Sequence, residues 1–360
     1  MSTRPRIFLE AHNINNSFSG FGQFNYWLIK NLVEESEDFE FIVNAKDKKS
    51  LKDLKDKVSF NRYFSFTRYP AMRTRKKFDL WHSLNQNSKI EPFHKMPYIL
   101  TLHDVIFLEK DPIEQVDKKK LRLLEEKIDR CSYIIYISNH ARSSANQFLN
   151  IPKDLPQKVI YNGNPVEAIE SVSIPNPSFD PGMPFLFCIG QFLEMKNFHS
   201  LVGMMSKLDG YQLIIAGNND KPYREVVMEE IEKYKLGNRV KLVGKISDIE
   251  KHYYLQNCEA FVFPSLFEGF GLPPIEAMTY GKPVFLARRT SLPEIGGDYA
   301  FYWDQFDPEF MTSVFLEGIE KYNQNRDLYK RELQARAAEF SWKQTAVEYL
   351  KIYKEVLNYH

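Results

Sequence analysis

The sequence predicts an α/β protein built of two doubly wound domains that face each other across a cleft. Three observations carry this: short β-rich runs alternate with amphipathic stretches, a proline-rich break interrupts them at 164–184, and the alternation then restarts. A length of 360 residues also exceeds what one hydrophobic core usually supports.

The first domain spans 1–165. Strands are read at 6–12 (RIFLEAH), 40–45, 79–84, 97–104, 133–138 and 158–163, with helices at 22–36, 114–130 and 141–150 between them. In the second helix Val116, Leu121, Leu124 and Ile128 fall roughly on one face. The break NPVEAIESVSIPNPSFDPGMP holds five prolines and little periodicity, the texture of an interdomain linker. The second domain spans 180–340, with strands at 185–190, 211–217, 239–244, 260–265 and 282–287. Its helices are expected around 197–208, 222–235, 248–257 and 273–280. The last segment, 341–360, reads as a helix with Trp342, Ala346, Leu350 and Tyr353 near one face. Open parallel sheets bind ligands beyond the carboxyl ends of their strands, so two such sheets facing each other enclose a cleft.

Composition narrows the class. With 43% apolar and 26% charged residues, the chain has a folded rather than a disordered profile. The net charge of +1 conceals a basic first half and an acidic second half, so the halves are expected to face different partners. Cys131, Cys188 and Cys258 lie far apart in apolar contexts and read as three reduced thiols of a cytoplasmic protein; no zinc spacing is present. The N-terminus MSTRPRIFLEAHNI lacks a signal-peptide profile, and no apolar run approaches the roughly 20 residues of a membrane span.

The stretch SLFEGFGLPPIEAMTYGKPV (265–284) concentrates the chemistry. A buried strand leads into Glu268-Gly-Phe-Gly, and Pro273 and Pro274 suit the first turn of a helix, where a missing N–H costs nothing. Small residues let backbone approach a ligand, and a helix start attracts anions. Glu276 is expected near that helix's first turn. Two carboxylates so placed can accept hydrogen bonds from the hydroxyls of two sugar rings flanking a diphosphate. A helix-favouring acid beside a solvated loop glutamate has the same spacing.

These residues resemble the family 4 retaining nucleotide-sugar glycosyltransferases, which have the GT-B fold of two Rossmann-like domains. FPSLFEGFGLPPIEAMTYGKPV resembles their paired-glutamate signature. HNINNSFSGFGQFNYWLIKNL resembles the N-terminal glycine loop, TLHD (101–104) the histidine motif, and YISNHARSS and KVIYNGNP the end of the first domain. IGQFLEMKN (189–197) resembles the phosphate-contact segment, SLPEIGGDYAFYWD the loop after the signature, and SWKQTAVEYL a helix that crosses back onto the first domain. The resemblance implies that Glu276 binds the nucleotide ribose and Glu268 the donor sugar. It puts backbone N–H groups of Phe270, Gly271 and Leu272 near sugar and phosphates, and His103 near the transferred sugar. It gives the first domain the acceptor and the second the donor. Gly20 and Gly22 would let backbone approach the diphosphate, although a plain turn looks the same; His12 and Asn162–Gly163 carry weaker readings.

One position departs from the family pattern. Gln191 stands where an arginine usually follows the glycine, while Lys196 is kept. A glutamine donates a hydrogen bond without neutralising a leaving diphosphate, and charge-assisted bonds are about twice as strong as neutral ones. Arg288 and Arg289 are candidate compensating cations or ordinary loop arginines.

The resemblance thus predicts a hexosyltransferase moving a sugar, GDP-mannose being the favoured donor among nucleoside-diphosphate sugars, to a hydroxyl of a glycan or lipid-linked glycan in polysaccharide or lipopolysaccharide synthesis. No Asp-x-Asp motif appears, so Lys196, helix-start dipoles and loop N–H groups are expected to replace a metal. Two other readings remain: a non-catalytic nucleotide-sugar-binding protein, which Gln191 favours, and a nucleotide-sugar epimerase. The basic, aromatic segment 59–77, with Arg62, Arg68, Arg73, Arg75, Lys76 and Lys77, suits an anionic membrane or an anionic acceptor as well as a solvated loop. The expected location is the cytoplasm, at the inner face of the membrane if that segment docks. No motif points to nucleic acid.

Overall fold

The computed structural model describes residues 4–16, 19–110, 116–166, 177 and 179–358. It divides into two units, Met1–Gly163 with Ser341–His360, and Asn164–Phe340.

In the first unit the order is β1 (Arg6–Glu10), α1 (Gly20–Glu35), β2 (Glu40–Ala45), β3 (Ser59–Arg62), β4 (Leu80–Ser83), β5 (Tyr98–Leu102), α2 (Ile106–Glu109), α3 (Lys118–Ile128), β6 (Tyr133–Tyr136), α4 (Asn139–Phe148) and β7 (Gln157–Val159). The second unit continues with β8 (Phe185–Ile189), α5 (Phe198–Met205), β9 (Gln212–Ala216), α6 (Tyr223–Lys233), β10 (Val240–Gly244), α7 (Asp248–Asn257), β11 (Ala260–Phe263), α8 (Leu272–Thr279), β12 (Val284–Ala287), α9 (Leu292–Gly296), β13 (Phe301–Trp303), α10 (Pro308–Gln324) and α11 (Arg326–Ala338). The final helix, α12 (Trp342–Leu357), belongs to the first unit.

Helix starts follow local chemistry. Ser19, Asp117, Ser138, Asp307 and Ser341 accept first-turn N–H groups, and Ser247 with Glu250 forms a reciprocal capping box on α7. Both sheets are parallel, in the orders β3-β2-β1-β4-β5-β6-β7 and β10-β9-β8-β11-β12-β13. Each order reverses at an internal pair: β1 beside β4, with Glu10 opposite Ser83, and β8 beside β11, with Phe187 opposite Phe261. Loops leaving the two strands of such a pair diverge to opposite faces and open a crevice at their carboxyl ends.

Apolar strands buried on both faces fix each core. Phe8 stacks on Trp81 at 3.9 Å in the first unit, and Phe187 stacks on Tyr254 at 5.3 Å in the second. Helix α12 seals the first sheet through polar pairs as well as rings. Tyr353 Oη lies 2.7 Å from His82 Nδ1, and Thr101 Oγ1 bridges His82 Nε2 at 2.9 Å and Tyr349 Oη at 3.1 Å.

Several expectations need correction. Helix α1 begins at Gly20, so Gly20 and Gly22 lie inside its first turn rather than before it. Strand β5 ends at Leu102, which leaves His103 just past the strand. Segment 59–62, read as part of a basic loop, is the edge strand β3; its SFNR sequence has a single apolar residue and no buried position. Residues 301–303, read as loop, form β13, and α10 and α11 fill a stretch for which no element was expected. Residues 114–115, most of the predicted linker (167–176 and 178), and Ser17 and Phe18 of the glycine loop lie outside the described residues.

Candidate functional site

The second sheet's reversal point gathers the paired-glutamate segment and the phosphate-contact segment. The loop after β8 carries Gln191 and Lys196, and the loop after β11 carries Glu268. Lys196 Nζ donates to Glu268 Oε1 at 2.5 Å, with both side chains about 15% exposed. The ammonium also lies 5.3 Å from the centre of the Phe263 ring. Backbone ties hold the two loops together: Leu266 N–H donates to Met195 O at 2.8 Å, and Asn197 Nδ2 donates to Pro264 O at 3.3 Å. Asn197 adopts the left-handed conformation, φ 55°, that joins this loop to α5. Gln191 is half-buried, and its carbonyl accepts from Leu193 N–H.

A third loop, after β12, clamps the glutamate turn. Glu268 N–H donates to Thr290 Oγ1 at 3.0 Å, and Ser291 Oγ lies 2.9 Å from Glu268 O and 2.5 Å from Phe270 O. Phe270 is buried, edge-on to Phe340 at 5.7 Å. Gly271 caps α8 with φ 130°, a backbone state that side chains resist, and Leu272 opens the helix. Pro273 and Pro274 follow without N–H groups, so Gly271 and Leu272 supply the donors of this helix start. Glu276 lies in the second turn of α8, not the first. It is buried and takes Lys251 Nζ of α7 on Oε1 at 2.7 Å. Burial alone would lower the Lys251 pKa, but the Glu276 and Asp248 carboxylates raise it, so the Lys251 ammonium stays charged at neutral pH.

Residues 173–335, nearly all of the second unit, match the group 1 glycosyl transferases. The O-antigen chain mannosyltransferase B of Escherichia coli is 26% identical over 275 residues, covering 71% of this chain and 70% of that protein. The serotype-specific mannosyltransferase WbdA of Escherichia coli is 30% identical over 168 residues, 45% of this chain but 20% of WbdA. A sucrose-phosphate synthase from Thermosynechococcus elongatus superposes with a TM-score of 0.75 at 16% identity, over 99% of this chain and 100% of that one, which shows the fold.

The protein is a glycosyltransferase of GT-B fold. It is related to mannosyltransferases.

In the first unit of the glycosyltransferase, His103 sits past β5 and is buried. Its Nε2 lies 2.8 Å from Leu84 O, which can only accept, so Nε2 carries the proton and Nδ1 is a bare acceptor. Its backbone N–H donates to Gln86 Oε1 at 3.1 Å, and the edges of Phe21 and Phe24 meet the ring at 4.8 and 4.6 Å. Burial lowers its pKa to about 4, with the Leu84 carbonyl opposing, so the ring is neutral near pH 7. The loop that holds it rests on a buried ion pair, Lys127 with Glu91, to which Ser83 and Tyr98 add hydroxyls. Gly22 is required for packing, since a Cβ there would sit 2.0 Å from Asn16 O; Gly20 faces open space. His12 stacks on Tyr63 at 4.9 Å and pairs with buried Glu10 through Nδ1 at 2.8 Å.

Sequence reasoning missed Lys251, Thr290 and Ser291. Their partners are backbone atoms or a carboxylate 25 positions away, and no local spacing signals such pairs. Arg288 is held by Asp304 at 2.8 Å and Arg289 by Asp304 O at 3.0 Å, so both are engaged with the 302–306 segment. Among the described residues no cluster of three or more His, Cys, Asp or Glu could hold a metal, and no helix is long and apolar enough to cross a membrane.

Proposed function

We propose that this glycosyltransferase moves mannose from GDP-mannose to a hydroxyl of a glycan or lipid-linked glycan, with retention of configuration and without a metal. The observation that carries the reading is the Lys196–Glu268 pair at the second sheet's reversal point, where a sugar diphosphate would put its sugar and phosphates side by side. The relatives named as mannosyltransferases of O-antigen synthesis support the choice of sugar and acceptor class.

The chemistry follows from charge. As the anomeric bond breaks, negative charge grows on the diphosphate and positive charge on the anomeric carbon. Lys196 and the N–H groups of Gly271 and Leu272 meet the departing oxygens, and Gln191 adds a neutral donor. Glu268, already bonded to Lys196, is a poor nucleophile and instead accepts from donor-sugar hydroxyls. The acceptor oxygen attacks from the face the phosphate leaves, and the leaving phosphate oxygen takes its proton. Glu276 accepts from the ribose hydroxyls. Neutral His103 offers Nδ1 as an acceptor for a sugar hydroxyl.

The first unit would carry the acceptor, and its segment 59–77 would rest on an anionic lipid surface. Phe66, Tyr69 and Met72 there are 46–54% exposed, and Arg62 and Arg68 lie over Phe64 and Tyr69.

The test is thermal-shift screening against GDP, UDP, ADP and their sugars, followed by diphosphate-release assays with the stabilising donor and EDTA. Stabilisation by GDP-mannose and EDTA-resistant turnover are expected. Stabilisation by another nucleotide alone would replace the donor, and strict Mn²⁺ or Mg²⁺ dependence would overturn the metal-free mechanism.

A further inference from the structure

The carboxylate assigned to the ribose has a partner that no motif announces. Lys251 projects from α7, and its Nζ lies 2.7 Å from Glu276 Oε1 and 3.6 Å from Asp248 Oδ1. The Lys251 and Glu276 side chains are 15% and 6% exposed. A pair withdrawn from water to this degree loses much of its Coulomb gain to desolvation, and apolar residues of like volume would pack α7 on α8 as well. Its presence therefore needs a reason other than stability.

That reason is the charge of the ligand. A nucleoside diphosphate carries at least two negative charges, and a bare buried carboxylate beside it would repel it. Neighbouring His252 is hydrogen-bonded to Tyr280 Oη at 2.7 Å, and burial, then the Lys251 charge, keeps its ring neutral. Lys251 is thus the cation that compensates Glu276. The geometry also divides the carboxylate's work, because Lys251 occupies Oε1.

We propose that Lys251 is a positioning residue of the donor site: it holds and neutralises Glu276 through Oε1, so that Oε2 accepts from the ribose hydroxyls of a nucleoside diphosphate. The proposal rests on the reading of Glu276 as the ribose carboxylate, and its test separates the two.

Titration calorimetry on the full chain compares GDP and UDP with their 2′,3′-dideoxy counterparts, for the wild type and for Glu276→Gln, Lys251→Met, Lys251→Arg and the Lys251→Met/Glu276→Gln pair. The wild type should prefer the ribonucleotide. Lys251→Met should lose roughly ten- to hundredfold in ribonucleotide affinity, the scale of a lost charged hydrogen bond. It should also lose the preference, and Lys251→Arg should retain most of it. The double variant should bind more tightly than Lys251→Met, because no uncompensated charge remains; a purely structural lysine would give no such rescue. Should Lys251→Met fail to fold, Lys251→Gln takes its place in every comparison. A Lys251→Met variant that keeps the wild-type preference while Glu276→Gln loses it overturns this assignment and leaves the ribose reading intact. If Glu276→Gln also keeps the preference, or the wild type has none, the ribose reading itself falls.

Discussion

Burial takes the His103 imidazole from an ordinary pKa of 6.5 to about 4, against the opposing Leu84 carbonyl, and takes His82 to about 3 with the His103 charge adding to the effect. Between the folded and unfolded values the unfolded chain binds a proton that the folded chain refuses. The stability this represents is fully present above pH 6.5 and is lost as pH falls towards 4. For His103 the limit is on the order of 3 kcal/mol. Urea midpoints measured from pH 7 down to pH 5 should therefore fall less steeply in His103→Gln than in the wild type. Equal slopes would mean that the ring titrates normally and is not buried as described. At pH 7 a neutral His103 has no charge to offer a phosphate.

Three loops leave adjacent strands β8, β11 and β12, and hydrogen bonds to backbone set their spacing. Ser291 Oγ serves the carbonyls of both Glu268 and Phe270. Ser291→Ala would remove the hydroxyl that ties the two carbonyls, at a cost of about 1 kcal/mol, and let the glutamate turn drift. The melting temperature should drop, and donor affinity should weaken more than the fold destabilises. Unchanged donor affinity would show that the clamp is irrelevant to binding. The elements that position these loops were legible where strands are apolar on both faces, as in FLFCI and AFVF, since burial writes a continuous run. Edge strand β3 was not, because its SFNR sequence has a single apolar residue and no buried position. The three-residue β13 was too short to show any pattern. Within the candidate site, Glu268, Glu276 and Lys196 were singled out through the family resemblance. The lysine that partners Glu276, and the hydroxyls that fix the turn, were not, because folding alone brings them together.

Charge is nearly balanced over the whole molecule, at +1 for 360 residues, but not evenly spread. The 59–77 segment concentrates cations beside exposed rings, and Arg75 adds a further stack on Phe93, itself 47% exposed. Each juxtamembrane cation contributes about 1 kcal/mol of attraction to an anionic bilayer. Sedimentation with phosphatidylglycerol vesicles should exceed that with phosphatidylcholine vesicles and fall with salt. Arg68→Glu with Arg75→Glu should abolish it, while nucleotide binding persists. Equal sedimentation with both lipids would remove the membrane from the account.

The backbone leaves the first unit at Gly163 and re-enters it at Ser341, and Asn164 N–H donates to Phe340 O at 2.9 Å, so the two crossings run side by side. The two units are therefore unequal as genetic parcels. The second unit is one uninterrupted stretch that can be cut out or swapped between relatives as a cassette. The other half cannot be released by a stop codon after 163, for that would strip away the tail whose Tyr349 and Tyr353 cover His82 and Thr101. Any grafted hybrid must carry both ends of the chain from one parent, or splice the tail back by a short linker across the gap that the two neighbouring crossings define.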